Sequence, residues 1–397
     1  MEIRKLRPEE NVHRKLMSAI CFSRYMPAED RYAWLEKPED HTENYEKAWG
    51  AFDDDGKLVS AMIVDPAEIM INGKKAKAGL IAAVTTLPEA RNNGSIRKLF
   101  EAAIPHMKEE GMVFSVLYPF SHEYYRKFGY EHNCVRSRVD FPISALDQYP
   151  YPGGMKAYDK VIPWEDFAKV YDVFSKDKNM AVTRGKKEWE AILKGDPHKD
   201  KAFAYVHYNN DEPDGYILYK AETRDNSGLI NIRELAWSNI AGFKSILGFI
   251  YGMRSEYSQV SWSQPSGPDI LGVVSDPFDV KWSWDSIIMT LVLDVQAALN
   301  LSVAPYGKGK LVIGVTDKFM NANNGAYMMS WADGRLKVET TNHPTDMDLD
   351  IETLAQLTTG FLTPAQALYR PGVVIRSKME ELTTLFPKKE QYMMEQF

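Results

Sequence analysis

The residues whose spacing most suggests chemistry lie in the stretch IAAVTTLPEARNNGSIRKL, which covers residues 81–99. An apolar strand is predicted to end within this stretch, and a polar loop then leads into a helix that starts near Ser95. Backbone N–H groups at a helix N-terminus lack partners within the helix and carry partial positive charge, so this junction could bind a pyrophosphate. Gly94 would let phosphates approach the backbone, while Arg91 and Arg97 add formal charge.

The junction does not match the two commonest phosphate-binding motifs. A Walker A loop needs Gly-Lys-Ser/Thr and a dinucleotide fingerprint needs three glycines, whereas residues 91–97 contain a single glycine. An Arg-x-x-Gly at an ordinary loop-to-helix junction has the same sequence. The motif taken alone therefore fits a structural turn as well as a binding site.

The elements that must position this junction form a meander, a helix and a further strand. The predicted strands are Ala48–Phe52, Lys57–Ile69, Lys77–Thr86 and Met112–Tyr118. Between the last two lies a helix at about Ser95–Glu110, since its apolar residues share one helical face. A short helix at His122–Phe128 is predicted to end at Gly129.

The middle of the chain repeats this order of elements. Predicted helices near 164–176 and 183–193 precede strands at 202–208, 214–222 and 229–237, which are followed by a helix near 240–254 and a strand near 259–263. Here the strand meets the helix through Ser-Asn-Ile-Ala-Gly at 238–242, without an arginine. We therefore predict a duplicated fold whose second copy has lost its ligand.

The remaining residues predict a separate α+β domain, because runs of strands are followed by helices. An apolar helix is predicted near Ile287–Leu299. Strands are predicted at 301–304, 310–317, 326–331 and 335–341, and helices near 350–358, 364–369 and 377–385. With the Pro- and Gly-rich DQYPYPGG at 147–154 as the first boundary, the predicted domains are 1–150, 151–285 and 286–397.

Two motifs in the first segment resemble the Eis (enhanced intracellular survival) family of aminoglycoside N-acetyltransferases. One is Val-x-Thr-x-Pro-x-x-Arg-x-x-Gly-x-x-Arg from Val84 to Arg97, and the other is Tyr-x-x-Phe-Gly-Tyr from Tyr125 to Tyr130. Ile96 departs from the general GNAT pattern, which has Gly or Ala there. The resemblance implies an α/β (α+β) fold of two tandem GNAT-like domains, the second degenerate, followed by a sterol-carrier-protein-like domain.

The resemblance also implies transfer of an acetyl group from acetyl-CoA to amines of a cationic, aminoglycoside-like acceptor, at several positions. The strand end would hold the oxyanion through backbone N–H groups, and the next strand end would contact the cofactor from its other side. The predicted cofactor-binding residues are Val84, Thr85, Thr86, Arg91, Asn92, Asn93, Gly94, Ser95, Ile96, Arg97, Phe120 and Ser121.

By the same resemblance, Tyr125 is the general acid and the α-carboxylate of Phe397 is the base. A tyrosine with an ordinary pKa of about 10 stays protonated beside a thiol of about 8.5, so it could donate to a leaving thiolate. Without the motif, the sequence favours a half-buried structural tyrosine and a frayed C-terminus.

Acidic and aromatic residues cluster at Phe22–Asp40, where Asp30, Trp34 and Glu36 could line a site for a polycation. Glu395 is a further candidate for this site. A solvated helix surface would show the same residue types.

Composition excludes several other classes. A net charge of −7 argues against nucleic-acid binding, which needs a concentrated basic surface. No run of about 18 apolar residues predicts a membrane span. The histidines show no ligand spacing, so no metal is expected. With two distant cysteines and no signal peptide, we expect a cytoplasmic protein.

The resemblance implies a homo-oligomer, specifically a hexamer. The rival interpretation is a non-catalytic assembly protein that binds CoA or lipid through a degenerate site. Retention of Arg91, Gly94, Tyr125 and Phe397 together argues for the enzyme.

Overall fold

The computed structural model describes residues 1–22, 44–157, 163–224, 227–264 and 270–397. Asp30, Trp34 and Glu36 lie outside these residues. The strands are β1 (Glu2–Lys5), β2 (Ala48–Phe52), β3 (Leu58–Ile71), β4 (Lys74–Thr86), β5 (Phe114–Leu117), β6 (Glu131–Pro142), β7 (Met155–Ala157), β8 (Ala202–Asn209), β9 (Glu212–Arg224), β10 (Ser227–Trp237), β11 (Gln259–Gln264), β12 (Lys281–Val292), β13 (Lys308–Thr316), β14 (Gly325–Ala332), β15 (Arg335–Thr341), β16 (Met347–Asp350) and β17 (Val374–Ile375). The helices are α1 (Asn11–Cys21), α2 (Ser95–Glu109), α3 (His122–Arg126), α4 (Trp164–Ser175), α5 (Lys186–Leu193), α6 (Ile240–Gly252), α7 (Val295–Asn300), α8 (Ile351–Thr358), α9 (Pro364–Ala367) and α10 (Met379–Leu385).

Two units of the same topology make up the first two thirds of the chain. In the first unit (β1–β5 with α1–α3), β2, β3 and β4 form an antiparallel meander, and α2 connects β4 to the parallel strand β5. In the second unit (β7–β11 with α4–α6), β8, β9 and β10 form the meander, and α6 connects β10 to the parallel strand β11. The predicted duplication is confirmed.

Strands β6 and β12 join the two units into one sheet. The strand that follows the first unit, β6, pairs with β11 of the second, and the strand that follows the second unit, β12, pairs with β5 of the first. Because β6 and β12 also pair with each other, the strand order is β1-β2-β3-β4-β5-β12-β6-β11-β10-β9-β8-β7. The sheet of each unit is therefore extended by the strand that follows the other unit in the sequence.

The apolar helix predicted at Ile287–Leu299 is wrong in its first half, because Ile287–Val292 belong to β12. Ile288, Met289 and Leu291 are all fully buried, as expected for a strand covered on both faces. A short continuous apolar run cannot distinguish such a strand from a buried helix. Helix α7 begins only at Val295, after Asp294 caps it. Strand β12 also runs through the predicted domain boundary at 285/286.

The third domain packs on the first unit. Its five-stranded sheet has the order β15-β14-β13-β16-β17, and α8 lies against β12 and β6. One hydrophobic core includes residues of both the first unit and this domain. Gln356 donates to the carbonyl oxygen of His132 at 2.7 Å, and Arg370 pairs with Glu131 at 2.9 Å. No strand forms at the predicted 301–304, whereas β6 and β16 were not predicted.

Candidate active site

The edge of β4 opens where the predicted oxyanion residues lie. Parallel pairing of β4 with β5 stops at Ile81, although β4 continues to Thr86. Ala83 and Val84 together face Met62 on β3, which is a β-bulge, and Ala83 has a left-handed φ of 48°. A bulge bends its strand, so β4 diverges from β5 beyond this point. Among the described strands none pairs with residues 82–86 on that side, and their backbone faces an open wedge.

The N-terminus of α2 lies beside this wedge. Gly94 precedes the helix with a φ of 80°, a conformation that strains other residues, and residues 91–94 are exposed. The Ser95 N–H donates to Asn93 Oδ1 at 3.0 Å. The N–H groups of Ile96 and Arg97 are in the first turn, where the helix supplies no acceptor. A Cβ added at Gly94 would meet no atom within 4 Å. This helix end is therefore accessible to an anion.

A buried serine fixes the strand end relative to the helix start. Ser60 Oγ lies 2.9 Å from Thr86 Oγ1 and 2.6 Å from Ser95 Oγ. The Cys21 thiol donates to the Thr86 carbonyl oxygen at 3.3 Å. Ser60 was not among the predicted residues, because a single serine in an apolar strand gives no signal in the sequence.

The two arginines of the junction are on the surface next to the helix N-terminus. The Arg97 guanidinium lies 5.8 Å from the ring centre of Phe128 and 6.0 Å from that of Phe319, and it is 3.6 Å from Glu101. Arg91 is exposed. Both side chains can therefore turn towards phosphates bound at the N-terminus of α2.

Tyr125 on α3 is buried among aromatic rings. Its ring centre lies 5.3 Å from those of Phe120 and Tyr124, and 6.2 Å from those of Phe100 and Tyr130. Burial, together with the neighbouring Tyr124, raises the pKa of Tyr125 above its usual value. The phenol therefore stays protonated at neutral pH and can act as a proton donor. Phe120 is 73% exposed and covers one side of this cluster.

Ser121, a predicted cofactor contact, is the N-cap of α3. Its Oγ accepts a hydrogen bond from the Tyr124 N–H at 3.3 Å, which fixes the start of the helix that carries Tyr125. Beyond the helix, the hydroxyls of Tyr130 and Ser115 are 2.6 Å apart, which ties the segment after α3 to β5.

The C-terminal tail (Pro387–Phe397) packs against both units. The Asn179 N–H donates to the Glu390 carbonyl and the Tyr392 N–H donates to the Asn179 carbonyl, both at 2.8 Å. Tyr392 is fully buried in the aromatic cluster of the second unit, 5.2 Å from the ring of Phe174. Its neighbour Met393 is buried in the core of the first unit and third domain. This alternation is typical of an extended strand held from both sides.

The end of the tail lies at the end of β5. The Phe397 ring centre is 5.0 Å from that of Tyr118, which directly follows β5. The Tyr118 hydroxyl donates to the Glu395 carbonyl oxygen at 2.5 Å. Burial raises the pKa of Tyr118 to about 12, despite the opposing charge of Arg136, so this hydroxyl remains a donor. The predicted acid, Tyr125, thus lies on the helix that follows β5, and the predicted base, Phe397, lies at the end of the tail.

Glu395, expected near the acceptor, is engaged elsewhere. Its carboxylate pairs at 2.7 Å with Arg184, a side chain that is 1% exposed. Arg184 also binds both oxygens of Glu234, at 2.7 and 3.1 Å. The structure therefore turns the Glu395 side chain towards the second unit.

The corresponding helix end in the second unit is filled by the protein itself. Asn239 Oδ1 caps α6 by accepting the Gly242 N–H at 2.9 Å. A Cβ at Gly242 would lie 2.5 Å from the Asp214 carbonyl oxygen and 2.9 Å from its carboxylate. Asp214 is buried and hydrogen-bonds to His207 Nδ1. The start of α6 is thus capped by Asn239, and the buried Asp214 packs against its first turn.

Family models match three successive parts of the chain. An acetyltransferase (GNAT) domain matches residues 2–133, a second acetyltransferase (GNAT) domain matches residues 180–288, and a sterol carrier protein domain matches residues 295–394. The chain is an acetyl-CoA-dependent acyltransferase of the GNAT type. Acetyl-CoA is accordingly its co-substrate. The predicted order of two GNAT domains and a sterol-carrier-like domain is confirmed.

Solved structures share the whole fold of this GNAT acyltransferase. A GCN5-related N-acetyltransferase from Anabaena variabilis superposes with a TM-score of 0.86 at 21% identity, over 100% of both chains. A probable N-acyltransferase of unknown function from Enterococcus faecalis gives 0.82 at 18% identity, over 99% of this chain and 97% of the other. Eis1 from Mycobacterium abscessus gives 0.82 at 17% identity, over 100% of both chains. Comparison with curated proteins finds no significant match.

Two further observations concern the described part of this acyltransferase. Its residues include no group of three or more His, Cys, Asp or Glu side chains that could hold a metal ion. None of its helices is long and apolar enough to cross a membrane.

Proposed function

We propose that the first unit transfers the acetyl group of acetyl-CoA to a primary amine of a cationic, aminoglycoside-like acceptor. The observation that carries this proposal is the contact between Phe397 and Tyr118, with ring centres 5.0 Å apart. Because Tyr118 directly follows β5, this contact supports a tail end close to the open edge of β4. The wedge, the N-terminus of α2 and Tyr125 lie in the same unit.

Acetyl-CoA would be held by the N-terminus of α2 and the diverging end of β4. The first-turn N–H groups of Ile96 and Arg97, which have no acceptor within the helix, suit the pyrophosphate, and Arg91 supplies a further charge. The backbone of 84–86 would hydrogen-bond the thioester oxygen, since this edge has no strand partner in the described structure. Phe120 would pack on the cofactor from the side of β5.

The reaction needs a base, an oxyanion site and an acid. The neutral amine attacks the thioester carbon, a C–N bond forms, and the oxyanion is held by the N–H groups at 84–86. The Phe397 carboxylate accepts the amine proton, directly or through water. The C–S bond then breaks, and Tyr125 protonates the departing thiolate, leaving an amide and CoA. Its raised pKa keeps the Tyr125 proton available until that step.

The acceptor class rests on the motif resemblance and on charge. The chain carries a net charge of −7, which suits a polycationic amine and its repeated acetylation. Acetylation of several amines on one acceptor would appear as successive mass increments. A panel of aminoglycosides and simple polyamines, followed by thiol release and mass spectrometry, would identify the acceptor.

We also propose a homo-oligomer, a hexamer by the resemblance. Support comes from Trp282 and Trp284 on β12, which are 42% and 69% exposed although they lie where the two units meet. Exposed large apolar side chains are typical of contact surfaces. Light scattering should give a multiple of 45.3 kDa, and a monomer at micromolar concentration would contradict the proposal.

The position of the terminal carboxylate provides the test of the mechanism. Adding residues after Phe397 would replace its carboxylate by a peptide carbonyl, and deleting Phe397 would move the carboxylate by up to about 3.5 Å. Both changes should lower kcat by about 10²-fold or more, while CoA affinity stays unchanged. The same extension before Met1 is the control and should leave kcat unaltered. Full activity of the C-terminally extended enzyme would exclude this carboxylate as the base.

A further inference from the structure

A buried arginine of the second unit holds the tail close to its end. Arg184 donates through Nε to Glu395 and through both terminal nitrogens to Glu234 on β10. Its guanidinium carbon lies 4.0 Å from the ring centre of Tyr171 and 4.9 Å from that of Trp189. The side chain is therefore held by residues of the second unit, and its Nε binds the tail.

Arg184, Glu234 and Glu395 form a network in which one guanidinium binds two carboxylates. Glu234 also accepts a hydrogen bond from the Tyr216 hydroxyl, so its charge is satisfied from two directions. Buried ion pairs add little stability overall, because desolvation offsets their attraction, but losing one partner leaves an uncompensated charge. Such a network suits the precise placement of one segment against another.

The network is built at a bulge that resembles the one in the first unit. In β10 the register shifts between Ile232 and Glu234, so Glu234 is the first paired residue after the irregularity. In β4 the first paired residue after the bulge is Thr85, at the open wedge. The same irregularity therefore opens a site in one unit and carries an anchor for the tail in the other.

The anchor lies close to the reacting end of the tail. Glu395 and Phe397 are separated by one residue, so their Cα atoms can be at most about 7 Å apart. Glu395 is held from two sides, by Arg184 through its side chain and by Tyr118 through its carbonyl oxygen. A shift of Glu395 must therefore displace the α-carboxylate of Phe397.

We propose that the second unit works as the anchor of the tail, and that Arg184 is a positioning residue for acetyl transfer through its ion pair with Glu395. This inference rests on the proposed function, in which the Phe397 carboxylate is the base. It assigns to the second unit a task in catalysis that needs no ligand.

The first test compares two Glu→Gln variants within the tail. Glu395→Gln keeps the shape of the side chain and removes the charge that Arg184 binds. Glu390→Gln is the matched control, because Glu390 is 55% exposed and pairs with Lys178 at 3.4 Å. We expect Glu395→Gln to lower kcat by about 10- to 100-fold, with KM for acetyl-CoA and CoA affinity unchanged. The Glu390→Gln enzyme should behave as wild type.

Two further readouts separate positioning from general damage. Carboxypeptidase should release Phe397 faster from Glu395→Gln than from the control, at a temperature where both are folded. Adding one glycine after Phe397 should bring kcat to the same low level in Glu395→Gln as in the otherwise unchanged enzyme, so that the double change is no worse than the extension alone. Arg184→Lys, which keeps the charge without the forked geometry, should fall between wild type and Glu395→Gln.

The outcomes distinguish this inference from the mechanism on which it rests. If the extension abolishes turnover while Glu395→Gln is fully active and resists carboxypeptidase, the anchor is wrong and the terminal base stands. If the extended enzyme is fully active, the terminal base is wrong. If the losses from Glu395→Gln and the extension multiply, Glu395 acts through something other than the position of Phe397, which also overturns the anchor.

Discussion

The two units share a topology and use the same junction in opposite ways. In the first, the helix that leads into the parallel strand β5 begins after an exposed glycine, and a side chain added at Gly94 would meet no atom within 4 Å. In the second, the matching helix begins against Asp214, and a side chain added at Gly242 would collide with it. Both helix ends favour negative charge. The first is exposed, and the second is capped by Asn239 with Asp214 packed against its first turn.

This comparison changes the explanation for the degenerate copy. From the sequence, the second junction lacks an arginine, which would only weaken binding. In the structure, Asn239 also caps this helix, and Asp214, which hydrogen-bonds to His207, packs against its first turn. Adding arginines to the second unit would therefore not restore a site.

The largest expected effect concerns the chemistry assigned to the first unit alone. Tyr125→Phe removes the proposed acid and should lower kcat by about 10²- to 10⁴-fold with little change in CoA affinity. Tyr124→Phe is the control, since it changes the neighbouring tyrosine on the same helix and should retain most activity. Steady-state kinetics at saturating acetyl-CoA provide the measurement. Near wild-type turnover of Tyr125→Phe would return this residue to a structural role.

The two glycines should respond to substitution in different ways. Gly94→Val must adopt a φ of 80° at the phosphate site, so KM for acetyl-CoA should rise by about tenfold or more. Gly242→Ala places a Cβ against the Asp214 backbone, so it should lower Tm while KM stays unchanged. Kinetics and thermal melts on both variants test this contrast. Equal effects of the two variants on KM would contradict it.

How far the sequence leads depends on the range of the interactions. The junction at 81–99, the two motifs and the repeated order of elements are local patterns, and they predicted the duplicated fold and the first unit's open helix end. The exchange of β6 and β12 joins segments about 150 residues apart in the chain, and no local pattern encodes such pairing. Nor did the sequence indicate the bulge at Ala83, where a residue other than glycine has positive φ. The Arg184–Glu395 pair spans two domains and was missed for the same reason.

A smaller effect tests the occupant of the second helix end. Asp214→Asn keeps a side chain of the same size but removes the charge that the helix N-terminus and His207 favour. We expect a loss of about 1 kcal/mol in the free energy of unfolding, with no change in turnover or CoA stoichiometry. Chemical denaturation gives the first quantity. A higher free energy of unfolding in Asp214→Asn would mean that the buried carboxylate destabilises the fold.

The smallest effect concerns the contact of the third domain with the first unit. Burial raises the pKa of Glu352 to about 7, with further contributions from Asp350, Asp317 and Glu131. Because the pKa is raised on folding, the stability linked to this group is present below the ordinary glutamate pKa of about 4.3 and is lost as the pH rises through 7. Glu352→Gln should therefore raise Tm at pH 8 by a few degrees, which is the shift expected when the free energy of unfolding rises by about 1 kcal/mol. This gain in Tm should shrink towards pH 5. A gain that does not depend on pH would contradict this assignment.

Calorimetric titration with CoA tests the contrast between the two units most directly. The account predicts one CoA per chain in the wild-type protein, and the same stoichiometry in Asp214→Asn. Binding should be strongly weakened in Gly94→Val and unaltered in a folded Gly242→Ala. Two CoA molecules per chain, or a single site that survives Gly94→Val and is lost in Gly242→Ala, would contradict the assignment of the cofactor to the first unit.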